Sequence, residues 1–486
     1  MSSSTPKTSE EPPTTASTDT TVVKPEDIPL ENMPVLPVDN GDLENANQAH
    51  PGSKEPSQIA KVPRADGGRD AWLFLAACFV FEALIWGFPF SFGVFQSYYS
   101  THAPFSHNNN GIAAIGTCST GVMYLFAPVS LYILEAWPAV RRASSIVGLI
   151  IAAGALVASS FSTQVWHLIV TQGVMYAIGG SLLYSPTMFY LDEWFVEKKG
   201  LAFGVMWAGV GASGLVFPFA LKALLDRCGF ANTLRIWAIL FIFFCTPLIY
   251  FIKPRLPTTS PPTPRKKPSY AFLFKPTYLI LQASNIFESL GFFLPAIYLP
   301  TYATFLHLSP QIGTLVLALL NLFSVVGAVI LGHLCDKMHI SHVIAISTFG
   351  STFSVFLFWG PAKEVARLIV FAMVYGVFAG GYSALWAGMM KEIQRVKGCE
   401  EVGMGVLMGA FAAGRGIGAV ASGPLSEVLL NTPIGGVAGF NSEYGTLIVF
   451  TGASAFAGGV GWFVTRKMRG HVHRDGDGGS VSDAST

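Results

Sequence analysis

Charge is what this sequence has least of. Only 12% of its 486 residues are Asp, Glu, Lys or Arg, against 51% hydrophobic residues. An average soluble domain is about one quarter charged, so a water-facing surface for a chain this long cannot be built from what is present. The net charge of +1 gives no case for nucleic acid as a partner. Cysteine is sparse too. Cys78, Cys118, Cys228, Cys245, Cys335 and Cys399 form no C-x-x-C pair, which leaves neither a disulfide framework nor a zinc pattern. They read as small buried hydrophobes. There is no G-x-x-x-x-G-K-S/T stretch and hence no sign of an ATP motor. The first 70 residues hold no apolar run, so no cleavable signal peptide is expected. Nothing here implies a cofactor or a metal.

What the chain does have is long apolar runs. A helix crossing the hydrocarbon needs about 20 mainly apolar residues. Twelve segments qualify, at roughly 72–95, 111–134, 143–161, 164–190, 200–221, 235–252, 277–302, 311–333, 342–360, 366–389, 403–423 and 443–465. Lipid offers no partner to free N–H and C=O groups, so these segments are helices. The expectation is an all-α membrane protein of twelve transmembrane helices.

The charges that remain are unevenly placed. With the N-terminus in the cytoplasm, cytoplasmic loops and flanks carry 22 Lys and Arg and the opposite loops only 5. Positive residues stay on the cytoplasmic side, so both termini are expected there. Residues 1–70, rich in Ser, Thr, Pro, Glu and Asp, are expected to form a disordered tail, and 467–486 a second one. The linker over 253–276 has six positive charges, no acidic residue and many prolines, which makes it extended. It divides the chain into six helices over 71–252 and six over 277–466.

The halves share a device. FEALIWGFP at 81–89 and FESLGFFLP at 287–295 repeat Phe-Glu-small-Leu and end on proline. Each falls in the first helix of its half. Two six-helix halves of like orientation are parallel repeats, the arrangement of the major facilitator superfamily. DGGRDAW at 66–72 and WFVEKKGLAFGVMWAGVGASG at 194–214 resemble two signatures of its monocarboxylate porter family. GFPFSFGVFQSYYS at 87–100, YLPTYA at 298–303 and GRGIGAVASGP at 414–424 resemble fungal members. The resemblance spans roughly 66–466. It implies the two-bundle fold, alternating access, and gating loops after helices 2 and 8. Arg141 and Arg142 retain part of the first loop, and Asp336 and Lys337 part of the second. There are departures. The animal lactate carriers have a lysine in helix 1 and an Asp–Arg pair in helix 8. Here helix 1 carries Glu82, and helix 8 has only Asn321 and Ser324 as polar residues, so the animal mechanism does not transfer.

Three formally charged residues lie deep in helices: Glu82, Glu288 and Arg415. Each is roughly 15–20 Å along its helix at 1.5 Å per residue. A charge at that depth costs about 2.5–3.5 kcal/mol and normally faces a cavity or a partner. Arg415 is the candidate cation for an anionic substrate, because a guanidinium meets a carboxylate in two hydrogen bonds. The alternative is a permanent ion pair with Glu288 or Glu82. The glutamates are candidates for substrate binding or proton coupling. Tyr184, Trp207, Tyr298, Asn321 and Trp386 are candidates for a cavity lining, although membrane aromatics also serve packing. The glycines at 209, 211 and 214, and at 414, 416 and 418, are read as close helix contacts.

The expected function is a secondary active transporter of a small organic anion, possessing no enzymatic role. It is expected to act as a monomer in the lipid bilayer of the plasma membrane, with a proton as candidate co-substrate. The substrate is either a monocarboxylate or an acidic secondary metabolite to be exported. Three alternatives stay open: a receptor or sensor keeping the fold, an uptake carrier for a neutral vitamin-like nutrient, and a membrane enzyme. For the last, His333, His339 and His342 lack acidic helix partners at metal-ligand spacing.

Overall fold

The computed structural model of the chain describes residues 63–107, 111–256, 270–432 and 443–462. Most of the expected N-terminal tail and linker, and all of the tail over 467–486, lie outside these residues. Among the described residues there are helices and turns but no strand. Ten of the helical spans are single crossings: α1 (Arg69–Thr101), α2 (Ile112–Ala136), α3 (Pro138–Ser159), α4 (Val165–Trp194), α7 (Pro276–Phe305), α8 (Gln311–Lys337), α9 (Ile340–Trp359), α10 (Val365–Gln394), α11 (Met404–Leu430) and α12 (Gly445–Trp462).

The eleventh span, Lys199–Phe251, has 53 residues, about 80 Å of helix and far too long for one crossing. It turns back at Gly229, whose φ of +71° is open to glycine and closed to L side chains. The span is therefore two helices, α5 (199–228) and α6 (230–251), and the described chain crosses twelve times. Pro89 leaves α1 interrupted at Ser91, after which the helix resumes at Phe92. Pro186, Pro218 and Pro295 lie inside uninterrupted helices.

All odd-numbered helices start on one face of the molecule, here the near face, and all even-numbered ones return to it. The two halves meet through α5 against α8 and α2 against α11. Small residues permit the first contact: a Cβ added at Gly200 would fall on the Gly332 carbonyl, and one at Gly204 on that of Ala328. One hydrophobic core joins the halves and includes near-face residues of both, such as Phe74, Leu191, Phe203, Leu331 and Leu385. A second core, with Leu294, Leu299, Trp359, Phe371 and Leu447, is made of second-half residues alone and fills the far end of that half. The perimeter is apolar as well: Ile150, Ile239 and Phe243 are 66–68% exposed, a surface suited to lipid tails.

Candidate functional site

The three deep charges are all interior. Glu82 on α1, Glu288 on α7 and Arg415 on α11 are 0%, 6% and 2% exposed. Arg415 and Glu288 form an ion pair, with Nη1 donating to Oε2 at 2.9 Å. The guanidinium lies over the rings of Phe292, at 4.3 Å, and Phe293, at 5.6 Å, whose faces attract a cation. Tyr124 of α2, from the other half, sits against the same guanidinium. It can do so because Gly416 presents no side chain to it. One cation thus touches both halves of the molecule.

Glu82 has different company. Its Oε1 accepts from the Thr187 hydroxyl at 3.5 Å, and the Trp86 indole lies against the same carboxylate. Tyr124 lies within electrostatic reach of both glutamates. The repeated motif therefore sets its carboxylates on α1 and α7, but only Glu288 meets the arginine.

The remaining candidates divide. Tyr184 and Trp207 gather round Trp86, at ring-centroid distances of 5.6 and 6.2 Å, and Tyr124 packs on the same indole at 4.4 Å. Trp207 reaches across to Trp386 of the second half, edge to face at 5.8 Å. Trp386 donates its indole N–H to Asn285 Oδ1 at 3.0 Å and stacks on Phe411. These residues form one aromatic wall that continues to Arg415. Asn321 instead bridges α8 to α5, donating to the Gly214 carbonyl at 3.1 Å. Tyr298 pairs with the Ser426 hydroxyl at 2.8 Å, toward the far face.

Two carboxylates lock the near face. Asp336 Oδ1 and Oδ2 accept from the Gly200 and Leu201 N–H groups at 2.7 Å each, at the start of α5. Glu135 Oε2 accepts from the Val406 N–H at 3.0 Å, at the start of α11. A carboxylate at a helix N-terminus satisfies orphan donors and meets the positive end of the helix dipole. Both latches join one half to the other. Arg141 lies over the Phe189 ring and pairs with Glu193 at 3.5 Å, while Arg142 and Lys337 are exposed. The segment before α1 is tied down in the same manner. Asp66 Oδ1 accepts from the Val196, Glu197 and Lys198 N–H groups at 2.9–3.0 Å. Burial pushes the Asp66 carboxyl up, but these three donors and the Lys198 charge outweigh it and hold the group below its ordinary value of 3.8.

Comparison with known proteins gives this architecture its family. The model of the Major Facilitator Superfamily matches residues 75–423. The chain belongs to that superfamily. Similar proteins include MFS-type transporter 1 of Ophiocordyceps sp., 28% identical over 415 residues, or 85% of this chain and 87% of that protein. The Agnestins efflux protein AgnL12 of Paecilomyces divaricatus is 26% identical over 429 residues, 85% and 94% of the two chains. The Fujikurins efflux protein of Gibberella fujikuroi is 25% identical over 354 residues, 71% and 75% of the two chains.

As a member of the superfamily, the chain is a multi-pass membrane transporter. Two interior residues, and one just past the end of an apolar run, escape a search for charge in apolar runs. Trp86 and Tyr124 are uncharged, yet Tyr124 is twelve residues into α2, a depth comparable to that of Glu82 in α1. Glu135 was legible by position: it is the penultimate residue of α2, as Asp336 is of α8. The loop after α2 thus keeps an acidic partner as well as its basic pair.

Proposed function

We propose that the protein exports an organic anion by alternating access, rocking a first bundle over 71–252 against a second over 277–466. The observation that carries this reading is the buried Arg415–Glu288 pair with Tyr124 of the opposite half against the same guanidinium. An arriving carboxylate or enolate competes with Glu288 for the guanidinium, and does so where the halves touch. Binding then changes the contact that must change for the bundles to move. Glu82, buried against Thr187, is the proton-carrying group in this reading.

The direction of transport follows the names of the Agnestins and Fujikurins efflux proteins. The substrate is accordingly an acidic secondary metabolite, and the motifs at 66–72 and 194–214 support a place beside the monocarboxylate porters. The positive-charge asymmetry supports cytoplasmic termini, and efflux supports the plasma membrane. The carrier works as a monomer.

The test is a mutant cycle read by saturable flux in vesicles. Arg415→Ala should abolish transport at near-normal protein level, and Arg415→Lys should keep some flux at reduced affinity. If Arg415 served only to balance Glu288, the double mutant Arg415→Ala/Glu288→Gln would remove both buried charges and restore transport. A double mutant with near-wild-type flux refutes the proposal.

A further inference from the structure

Polar atoms without partners in the interior point to what is bound there. Most buried polar atoms find a hydrogen bond, and each exception asks for an explanation. Five lie together at mid-depth where the halves meet: the Trp86 and Trp207 indole N–H groups, Glu82 Oε2, Glu288 Oε1 and Arg415 Nε. Their side chains are all more than nine-tenths buried. Trp207 is an informative contrast with Trp386. The two indoles touch, yet Trp386 has an acceptor in Asn285 and Trp207 has none.

The chemistry of these atoms specifies a ligand. Arg415 asks for an anion. An indole N–H can only donate, so Trp207 asks for a second oxygen acceptor. Between them stand the rings of Trp86 and Tyr124, the first at 6.2 Å from the Trp207 ring and the second against Arg415. A ligand spanning both points lies along two aromatic faces, which favour a flat conjugated body. A short aliphatic acid offers no ring to those faces.

We propose that the transported anion is a planar acid of at least two rings, held at two points: its anionic group on Arg415 and a second oxygen on the Trp207 indole N–H. This rests on the reading of Arg415 as the anion-binding cation. Glu288 Oε1 then accepts from a hydroxyl group of the same ligand, while the Trp86 indole faces the Glu82 carboxylate.

The test measures binding of hydroxynaphthoate, naphthoate, naphthol and lactate to the purified full-length transporter by calorimetry. The wild type should bind hydroxynaphthoate more tightly than naphthoate, and lactate weakly or not at all. Trp207→Phe keeps the ring and removes the N–H. It should weaken hydroxynaphthoate about tenfold, the worth of one hydrogen bond, and leave naphthoate unchanged. Arg415→Gln should weaken both acids. If Arg415→Gln abolishes binding but Trp207→Phe affects both acids alike or neither, or if lactate binds best, the two-point ligand is wrong and the anion site stands. If naphthol binds as well as naphthoate and Arg415→Gln changes nothing, the anion site itself is wrong. Absence of binding by every probe also overturns the two-point ligand. A wild-type melting profile for Trp207→Phe excludes misfolding as the cause of any loss.

Discussion

Asp336 offers the most quantitative test of how the halves are held. Its side chain is 10% exposed, and its two oxygens take one N–H each from Gly200 and Leu201. Asp336→Asn keeps one acceptor, turns the other into a donor facing a donor, and removes the charge at the helix start. One charge-assisted bond is lost, about 2 kcal/mol, or roughly 30-fold in the ratio of closed to open near face. A native reporter sits beside it. Cys335 is 9% exposed, and its Cβ is 3.0 Å from where a Cβ on Gly200 would stand, so it is covered by α5 and uncovered when the halves part. Its maleimide labelling rate, followed by peptide mass spectrometry, should rise about 30-fold in Asp336→Asn. Because Asp336 is next to Cys335, a local effect on the thiol must be separated from opening. Glu135→Gln, on the α2–α11 side, supplies that control and should also speed labelling of Cys335. Unchanged labelling in both folded variants would show that glycine packing alone closes this face.

Three further outcomes are expected. Asp66→Asn should lower the melting temperature at neutral pH, and the difference from wild type should vanish as pH falls below 3.8. The folded carboxyl is held below that value, so its stabilisation is complete above it and lost on protonation; a difference that persists at lower pH refutes the assignment. Gly209→Ala should destabilise by about 1–3 kcal/mol, since its Cβ would strike the Phe79 carbonyl, whereas Gly154→Ala, with open space around it, should not; a detergent melt compares them. An N-terminal tag should resist protease added to intact cells, and its digestion from outside would overturn the proposed topology.

Much of the fold was legible because apolar runs of membrane length leave the backbone no choice but helix. The boundaries were less so. By apolar pattern the fifth run ends at residue 221 and the sixth begins at 235, with Lys222 and Arg227 between them. The helix in fact continues to Gly229, supported by a Lys222–Asp226 ion pair at 3.2 Å one turn apart. Helices outlast the hydrocarbon, and hydropathy records only the hydrocarbon. In the site, Glu82, Glu288 and Arg415 announce themselves by their cost in an apolar setting. Which glutamate meets Arg415 does not, because that depends on which helices are neighbours. Tyr124 and Trp86 give no signal at all, since aromatic residues are ordinary in membrane helices.

The difference between the two glutamates has a cause in the repeat itself. They are 206 residues apart, whereas α5 and α11 open 205 apart, at Lys199 and Met404, and their glycines match at that spacing, so Arg415 falls opposite Val210, next to Gly209. Gly209 lies where α5 presses on α1, so close that an added Cβ would fall on the Phe79 carbonyl and lie 3.3 Å from the Ala83 nitrogen. At that turn α5 carries Val210 where α11 carries Arg415, and the neighbouring Gly209 brings backbone onto backbone. The two halves have kept the same carboxylate and divided its surroundings. On the proposal made above, the half with Arg415 supplies the anion-binding cation, and Glu82, set beside the Thr187 hydroxyl and the Trp86 indole, is the proton-carrying group. Tyr124 lies in electrostatic reach of both carboxyls and against the guanidinium. In this reading the coupling of proton and anion needs no long relay, only a rotation that changes what lies against Tyr124.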